Sequence, residues 1–125
     1  MQVLRKKRIL IVNDASTVGM YIKMMLRSES YDAEIAINGI DALRILNNQS
    51  FDLVITDLNM PEMDGYELTK HIRTHEDYRF IPVIFVTAGD KDEVYQTAKA
   101  VGSTAFVQFP FTKERILRII RSLIR

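Results

Sequence analysis

Four stretches of the chain are uninterrupted apolar runs rich in β-branched residues: Ile9-Leu10-Ile11-Val12, Leu53-Val54-Ile55, Val83-Ile84-Phe85-Val86 and the shorter Ala105-Phe106-Val107. Runs of this kind suit strands covered on both faces, as in a parallel sheet. A fifth stretch, Asp32 to Ile37, begins by alternating polar and apolar residues and predicts an edge strand. Between them apolar residues recur at helical spacing: Val18, Ile22, Met25 and Leu26, then Ala42, Leu43 and Leu46, then Val94, Ala98 and Val101. A further helix is predicted over about Tyr66 to Thr74. The last segment carries Ile116, Leu117, Ile119, Ile120, Leu123 and Ile124, an arc about 160° wide that still reads as a core-facing stripe. Thr112 stands where its N-cap belongs, and Glu114 suits the positive end of its dipole. Gly102 fits a C′ position closing the fourth helix.

Strand and helix therefore alternate five times, which implies an α/β, doubly wound parallel sheet with right-handed crossovers. Ligands of such sheets bind beyond the carboxyl ends of the strands. The residues at those ends are Asn13-Asp14, Thr56-Asp57, Thr87-Ala88 and Gln108-Phe109-Pro110. Two carboxylates from different strands thus converge at one edge, with a hydroxyl beside them. An all-oxygen set with few protein ligands suits Mg²⁺, which keeps several waters and favours phosphate company. A carboxylate beside a hard cation can act as a nucleophile toward phosphorus. The plainer role for a strand-end Asp is to cap the next helix, as Asp14 could from Ala15 onward.

Composition narrows the function. With 125 residues the chain makes one domain, and 17 Lys+Arg against 16 Asp+Glu leave a net charge of +1. That balance gives no strong field for nucleic acid or an anionic membrane. The absence of Cys excludes disulfides, thiolate metal sites and Cys nucleophiles. No apolar run approaches the roughly 18 residues of a membrane helix. The basic start, Met1 to Arg8, leads only into Ile9 to Val12, too short for a signal-peptide core. The expectation is a cytoplasmic, non-enzymatic single domain over residues 1–125, with 1–7 as a basic leader.

The segment Thr56-Asp57-Leu58-Asn59-Met60-Pro61-Glu62-Met63-Asp64-Gly65-Tyr66-Glu67-Leu68 resembles the phosphoacceptor loop of CheY-like response regulator receiver domains in two-component signalling. Asp57 falls on the phosphorylated Asp, and Met60-Pro61 with Asp64-Gly65 on the turn signature. Thr87-Ala88 matches the switch hydroxyl and its small neighbour, whose backbone contacts the phosphoryl group. Phe106 matches the aromatic whose rotamer follows phosphorylation. Phe109-Pro110 is similar to a Lys-Pro bond that is commonly cis. The resemblance runs from Arg8 to the last helix. It implies a flavodoxin-like fold of five strands in order 2-1-3-4-5 with five helices. It implies Mg²⁺ held by Asp14, Asp57 and the main-chain carbonyl of Asn59, with Asn13 a weakened fourth position. It implies phosphotransfer from a histidine kinase, a phosphotransfer protein or a small phosphodonor. Output then goes to a downstream protein target, or to a homodimer, through the fourth helix, fifth strand and fifth helix, with no nucleic acid contacted directly.

Two positions depart from the pattern. An acidic pair is usual where this chain has Asn13-Asp14, and a Lys is usual where it has Phe109. One carboxylate and one ammonium are missing together, so the formal charge of the pocket stays at −2, from Asp14 and Asp57. Each lost charge matters, at about 4 kcal/mol for a unit charge 4 Å away at an effective dielectric of 20. No ready substitute Lys is apparent: Lys113 lies inside the last helix, and Lys91 reaches in only if its loop allows. Two readings follow, a working receiver with altered kinetics, or a pseudo-receiver that binds partners without phosphate. A flavodoxin-like cofactor binder has Ser16-Thr17 in its favour. It lacks a Gly-rich phosphate loop, and Asp14 would repel a phosphate.

Other features read plainly. His71 and His75, at i and i+4, form an exposed pair near a helix end rather than a Zn²⁺ site. Arg5-Lys6-Lys7-Arg8 reads as a solvated leader, and Met20, Met24 and Met25 as flexible filler. Arg115, Arg118, Arg121 and Arg125 line the outer side of the last helix and could meet an acidic partner surface.

Overall fold

The computed structural model describes residues 5–88 and 91–124, with the side chains of 91–95 outside that description. Its elements run β1 (Arg8–Val12), α1 (Ser16–Ser28), β2 (Asp32–Ala36), α2 (Gly39–Asn48), β3 (Leu53–Asp57), α3 (Gly65–Thr74), β4 (Val83–Thr87), α4 (Lys91–Val101), β5 (Ala105–Gln108) and α5 (Lys113–Leu123). The five strands form one sheet in the order β2-β1-β3-β4-β5, every pair parallel. This is the doubly wound topology that the alternation of elements predicts.

The continuous apolar runs are explained by two cores. Leu10, Val12, Val54, Val83 and Phe85 face the side covered by α2, α3 and α4. Ile9, Ile11, Leu53, Ile55, Ile84 and Val86 face the side covered by α1 and α5. Successive residues point to opposite faces of a strand, so both faces must be apolar here. On the second side Ile22, Met25 and Leu26 of α1 meet Ile116, Leu117 and Ile120 of α5. Met25 is buried, whereas Met20 and Met24 are exposed.

Side chains cap three helices, the expected Thr112 of α5 among them. Asn38 accepts from the N–H of Asp41 at 2.7 Å, Asp64 from Glu67 at 2.8 Å and Thr112 from Arg115 at 3.2 Å. Gly102 has φ +84°, the left-handed turn expected after α4. The Phe109–Pro110 bond is cis.

Three expectations are corrected. The edge strand stops at Ala36, because the N–H of Ile37 donates to the Asp41 carboxylate at 3.1 Å instead of pairing. Arg8 is no part of a solvated leader. Its guanidinium reaches Asp32 at 3.1 Å, Glu34 at 3.4 Å, the Ser50 carbonyl at 2.9 Å and Gln49 at 2.8 Å, and it lies 4.5 Å over the Phe51 ring. Asp14 does not cap α1. The N–H of Ala15 donates to Asn13 Oδ1 at 2.8 Å, and the cap position itself, Ala15, has no side-chain bond. The expectations for Lys91, Val94 and Arg125 concern side chains outside the described residues.

Candidate functional site

At the carboxyl edge of the sheet, β1, β3 and β4 deliver Asn13, Asp57 and Thr87 to one cavity of about 170 Å³. Its other walls are Ala15, Val18, Val86, Ala88 and Phe109. Parallel register aligns these strand ends: Val12 lies opposite Thr56, and Asp57 opposite Val86. Asn13 and Thr87 are buried, Asp57 is half-buried and Asp14 is exposed beside the cavity.

The Asp57 carboxyl is held above its usual range, first by burial. The N–H groups of Asn59 and Leu58 donate to it and pull the other way, while the charge of Asp14 pushes it further up. The loop that follows is tightly folded. The N–H of Met63 donates to the Pro61 carbonyl at 2.8 Å across Glu62, whose φ of +70° is unusual for a residue with a side chain. Gly65 then packs so close that a Cβ on it would stand 2.5 Å from the Asp57 carbonyl oxygen. The geometry of the loop thus depends on a residue without a side chain.

The predicted site residues do not all gather. Asn13, Asp57, Thr87 and Ala88 share the cavity, Asp14 acts on Asp57 through its charge, and Asn59 touches it through its backbone. Phe106 lies elsewhere, opposite Phe85 on the sheet and partly buried against the α2–α4 side. Ala15 and Val18 were not read as site residues. Their place one and four residues after Asp14 makes Ala15 the N-cap of α1 and puts Val18 in its first turn, at the mouth of the strand ends.

Phe109 stands 39% exposed at the cavity rim, edge-on to Phe111 at 5.7 Å. Its N–H donates to the Thr87 carbonyl at 2.7 Å. No Lys or Arg lines the cavity among the described residues. Lys113 is turned away: its ammonium lies 2.9 Å from Glu29 and 3.4 Å from the Ser28 hydroxyl, at the end of α1. Arg121 joins the same carboxylate at 3.1 Å, and together they hold Glu29 below its usual range, Lys113 first. Arg115 and Arg118 remain exposed on the outer side of α5.

The histidines form no metal pair. His75 caps α3, stacks on Tyr78 at 3.8 Å and accepts from the N–H of Asp77. Among the described residues no three His, Cys, Asp or Glu converge on a metal position, and no helix is long and apolar enough to cross a membrane.

A doubly wound sheet with a half-buried Asp at the end of β3 and a buried Thr at the end of β4 defines a receiver-type signalling module. The chain belongs to the response regulator receiver domain family, whose pattern it matches over residues 9–121. It is 36% identical over 124 residues to the chemotaxis protein CheY-3 of Vibrio cholerae, covering 95% of each chain. The structure of Vibrio cholerae CheY4 superposes with a TM-score of 0.91 at 31% identity, over 96% of this chain and all of that one. The receiver domain of a sensor histidine kinase from Pseudomonas aeruginosa, with a magnesium ion coordinated in its active site cleft, superposes with a TM-score of 0.88 at 30% identity, over 96% and 98% of the two chains.

Proposed function

We propose that this chain is a working receiver domain, over residues 1–125, that accepts a phosphoryl group on Asp57 in a Mg²⁺-dependent reaction. One observation carries the reading: Asp57 is half-buried, raised in pKa and opens with the buried Thr87 and the backbone of Ala88 onto a single cavity. Two like charges, Asp14 and Asp57, without a neighbouring cation among the described residues call for a hard divalent ion, and the donors are all oxygen. Asp14, Asp57 and the Asn59 carbonyl would hold it, the remaining positions going to water. Asn13 contributes less, because its Oδ1 is already engaged by the N–H of Ala15. When bound, the ion neutralises the charge of the transferring phosphoryl group.

Asp57 attacks phosphorus with one carboxylate oxygen while the bond from phosphorus to the donor's nitrogen or oxygen breaks and its electron pair leaves with the donor. The N–H groups that bind its carboxylate orient it, and Thr87 is placed to donate to the phosphoryl oxygens. A histidine kinase or a phosphotransfer protein supplies the phosphoryl group in the cytoplasm. Output goes to a protein partner through α4, β5 and α5, where Arg115 and Arg118 suit an acidic surface, or to a second copy of the chain. Intact mass after incubation with a phosphodonor and Mg²⁺ tests this. A phosphate-sized gain, absent with EDTA and in Asp57→Asn, is the expected result.

A pseudo-receiver is the alternative, and the apolar Phe109 at the rim favours it. No gain with small donors or with autophosphorylated histidine kinases would select it, and Asp57→Ala would then leave partner binding unchanged.

A further inference from the structure

We infer that the acceptor site selects its phosphodonor by the charge on the leaving group, using P–N donors in preference to acyl phosphates, with Phe109 as the residue that sets the preference. The inference rests on Asp57 being the acceptor. Five of the eight cavity walls are apolar: Ala15, Val18, Val86, Ala88 and Phe109. The charges at the site are the carboxylates of Asp57 and Asp14, close enough for one to raise the pKa of the other. No described cation faces them, and the ammonium of Lys113 is committed to Glu29 at 2.9 Å.

The two donor classes meet this environment differently. With an acyl phosphate, an Asp57 oxygen forms the new O–P bond, the P–O bond to the acyl group breaks, and its electron pair leaves on a carboxylate anion. Negative charge arrives and departs beside two carboxylates. With a phosphorylated imidazole or phosphoramidate, the nitrogen already carries a proton. The donor enters with one negative charge fewer, the P–N bond breaks, and its electron pair stays on a nitrogen that leaves neutral. A neutral imidazole can rest on the Phe109 ring and the valines, whereas an anion finds no side-chain cation there among the described residues. A divalent ion at the site attracts the more highly charged acyl phosphate more strongly and narrows the difference, so both donors are compared at one Mg²⁺ concentration. An ammonium at position 109 would relieve the acyl phosphate more than the P–N donor.

The test is the rate of Asp57 labelling by phosphoramidate and by acetyl phosphate at one Mg²⁺ concentration, for the unaltered chain, Phe109→Lys and Phe109→Leu. Phe109→Lys should raise the acetyl phosphate rate about ten-fold and the phosphoramidate rate less than about three-fold, while Phe109→Leu keeps the original ratio. The phosphoramidate rate should also fall at high pH as its nitrogen loses the proton, with the acetyl phosphate rate flat over that range. A donor ratio that Phe109→Lys leaves unchanged, with labelling intact, overturns the selectivity alone. No labelling by either donor overturns the acceptor reading and the selectivity with it.

Discussion

Gly39 and Gly65 form a matched pair for one substitution. Each is the first residue of a helix, and each follows a capping side chain, Asn38 or Asp64. Alanine at either place gains about 0.5–1 kcal/mol from helix propensity and from a less free unfolded chain. The difference lies in what the methyl meets. At Gly65 it would stand 2.5 Å from the Asp57 carbonyl oxygen and 3.1 Å from Leu58 Cα. Both are backbone atoms, pinned by the Gly65 N–H to Leu58 carbonyl bond at 2.9 Å and by the pairing of Asp57 in the sheet. At Gly39 the nearest atoms are Cγ, Sδ and Cβ of Met63, at 2.8, 2.9 and 3.0 Å. Rotation about χ1 moves the Met63 Cγ and Sδ aside, and the remaining contact with its Cβ at 3.0 Å needs a shift of only a few tenths of an ångström. Forcing backbone apart costs about 1–3 kcal/mol. Net of the alanine gain, Gly65→Ala should lose about 1 kcal/mol and at most about 2.5 kcal/mol, and Gly39→Ala should fall within about 0.5 kcal/mol of zero. In a chain of 125 residues each kcal/mol moves Tm by about 4 °C, so Gly65→Ala should melt about 4 °C lower and at most about 10 °C lower. Thermal unfolding followed by circular dichroism reads both variants. Equal melting temperatures would refute the argument from backbone proximity. Gly65→Ala should also slow labelling of Asp57, because its carbonyl is the atom displaced.

Arg73 donates to the carbonyls of Gly102, Arg79 and Ile81 at 2.8, 3.0 and 2.7 Å, tying the loop before β4 to the turn before β5. Arg73→Ala should cost about 1.5–3 kcal/mol in urea unfolding, and Arg73→Lys should recover little, because one ammonium cannot span that fork; a lysine variant as stable as the parent would sink this. Asp57 binds its proton more tightly folded than unfolded, so its ionised form costs stability at neutral pH. Asp57→Asn should therefore melt higher than the parent at pH 7 without Mg²⁺, and the gap should close as pH falls through the raised folded value toward the unfolded 3.8. A lower Tm for Asp57→Asn at pH 7 would contradict the sign. Excess Mg²⁺ should raise the Tm of the parent and not that of the variant.

The strands covered on both faces were legible because they must be apolar at every position, and strand-end chemistry follows from topology alone. Asp57, Thr87 and Asn13 were found that way. Less legible were contacts set by what lies across the sheet. A charge run at Arg5 to Arg8 says nothing about the two carboxylates on β2 that take up Arg8. Alternation over Asp32 to Ile37 does not say where pairing ends, because Asp41, on the next helix, decides it. The choice between Asn13 and Asp14 as partner for Ala15 depends on which side chain the end of β1 turns inward, and the buried one is Asn13. Val18 read as a core position because its spacing matches Ile22 and Met25, yet its first-turn location also makes it a cavity wall.

The bond from the Phe109 N–H to the Thr87 carbonyl bears on how such a site could signal without an ammonium. It joins the end of β5 to the end of β4, and it is backbone to backbone, so no residue at 109 except proline removes it. Thr87 is buried at the strand-end cavity it shares with Asp57, and the chain beyond Phe109 runs through Phe111 into α5. A shift of the β4 end on phosphorylation would therefore reach α5 directly. That helix is in turn held to α1 by Glu29 through Lys113 and Arg121. Both pairs are exposed and salt-screened, so the restraint is weak and yields readily. Glu29→Gln should leave the labelling of Asp57 unchanged and alter partner binding through α5. If it changed labelling and left binding alone, the clamp would belong to the acceptor chemistry and not to its output.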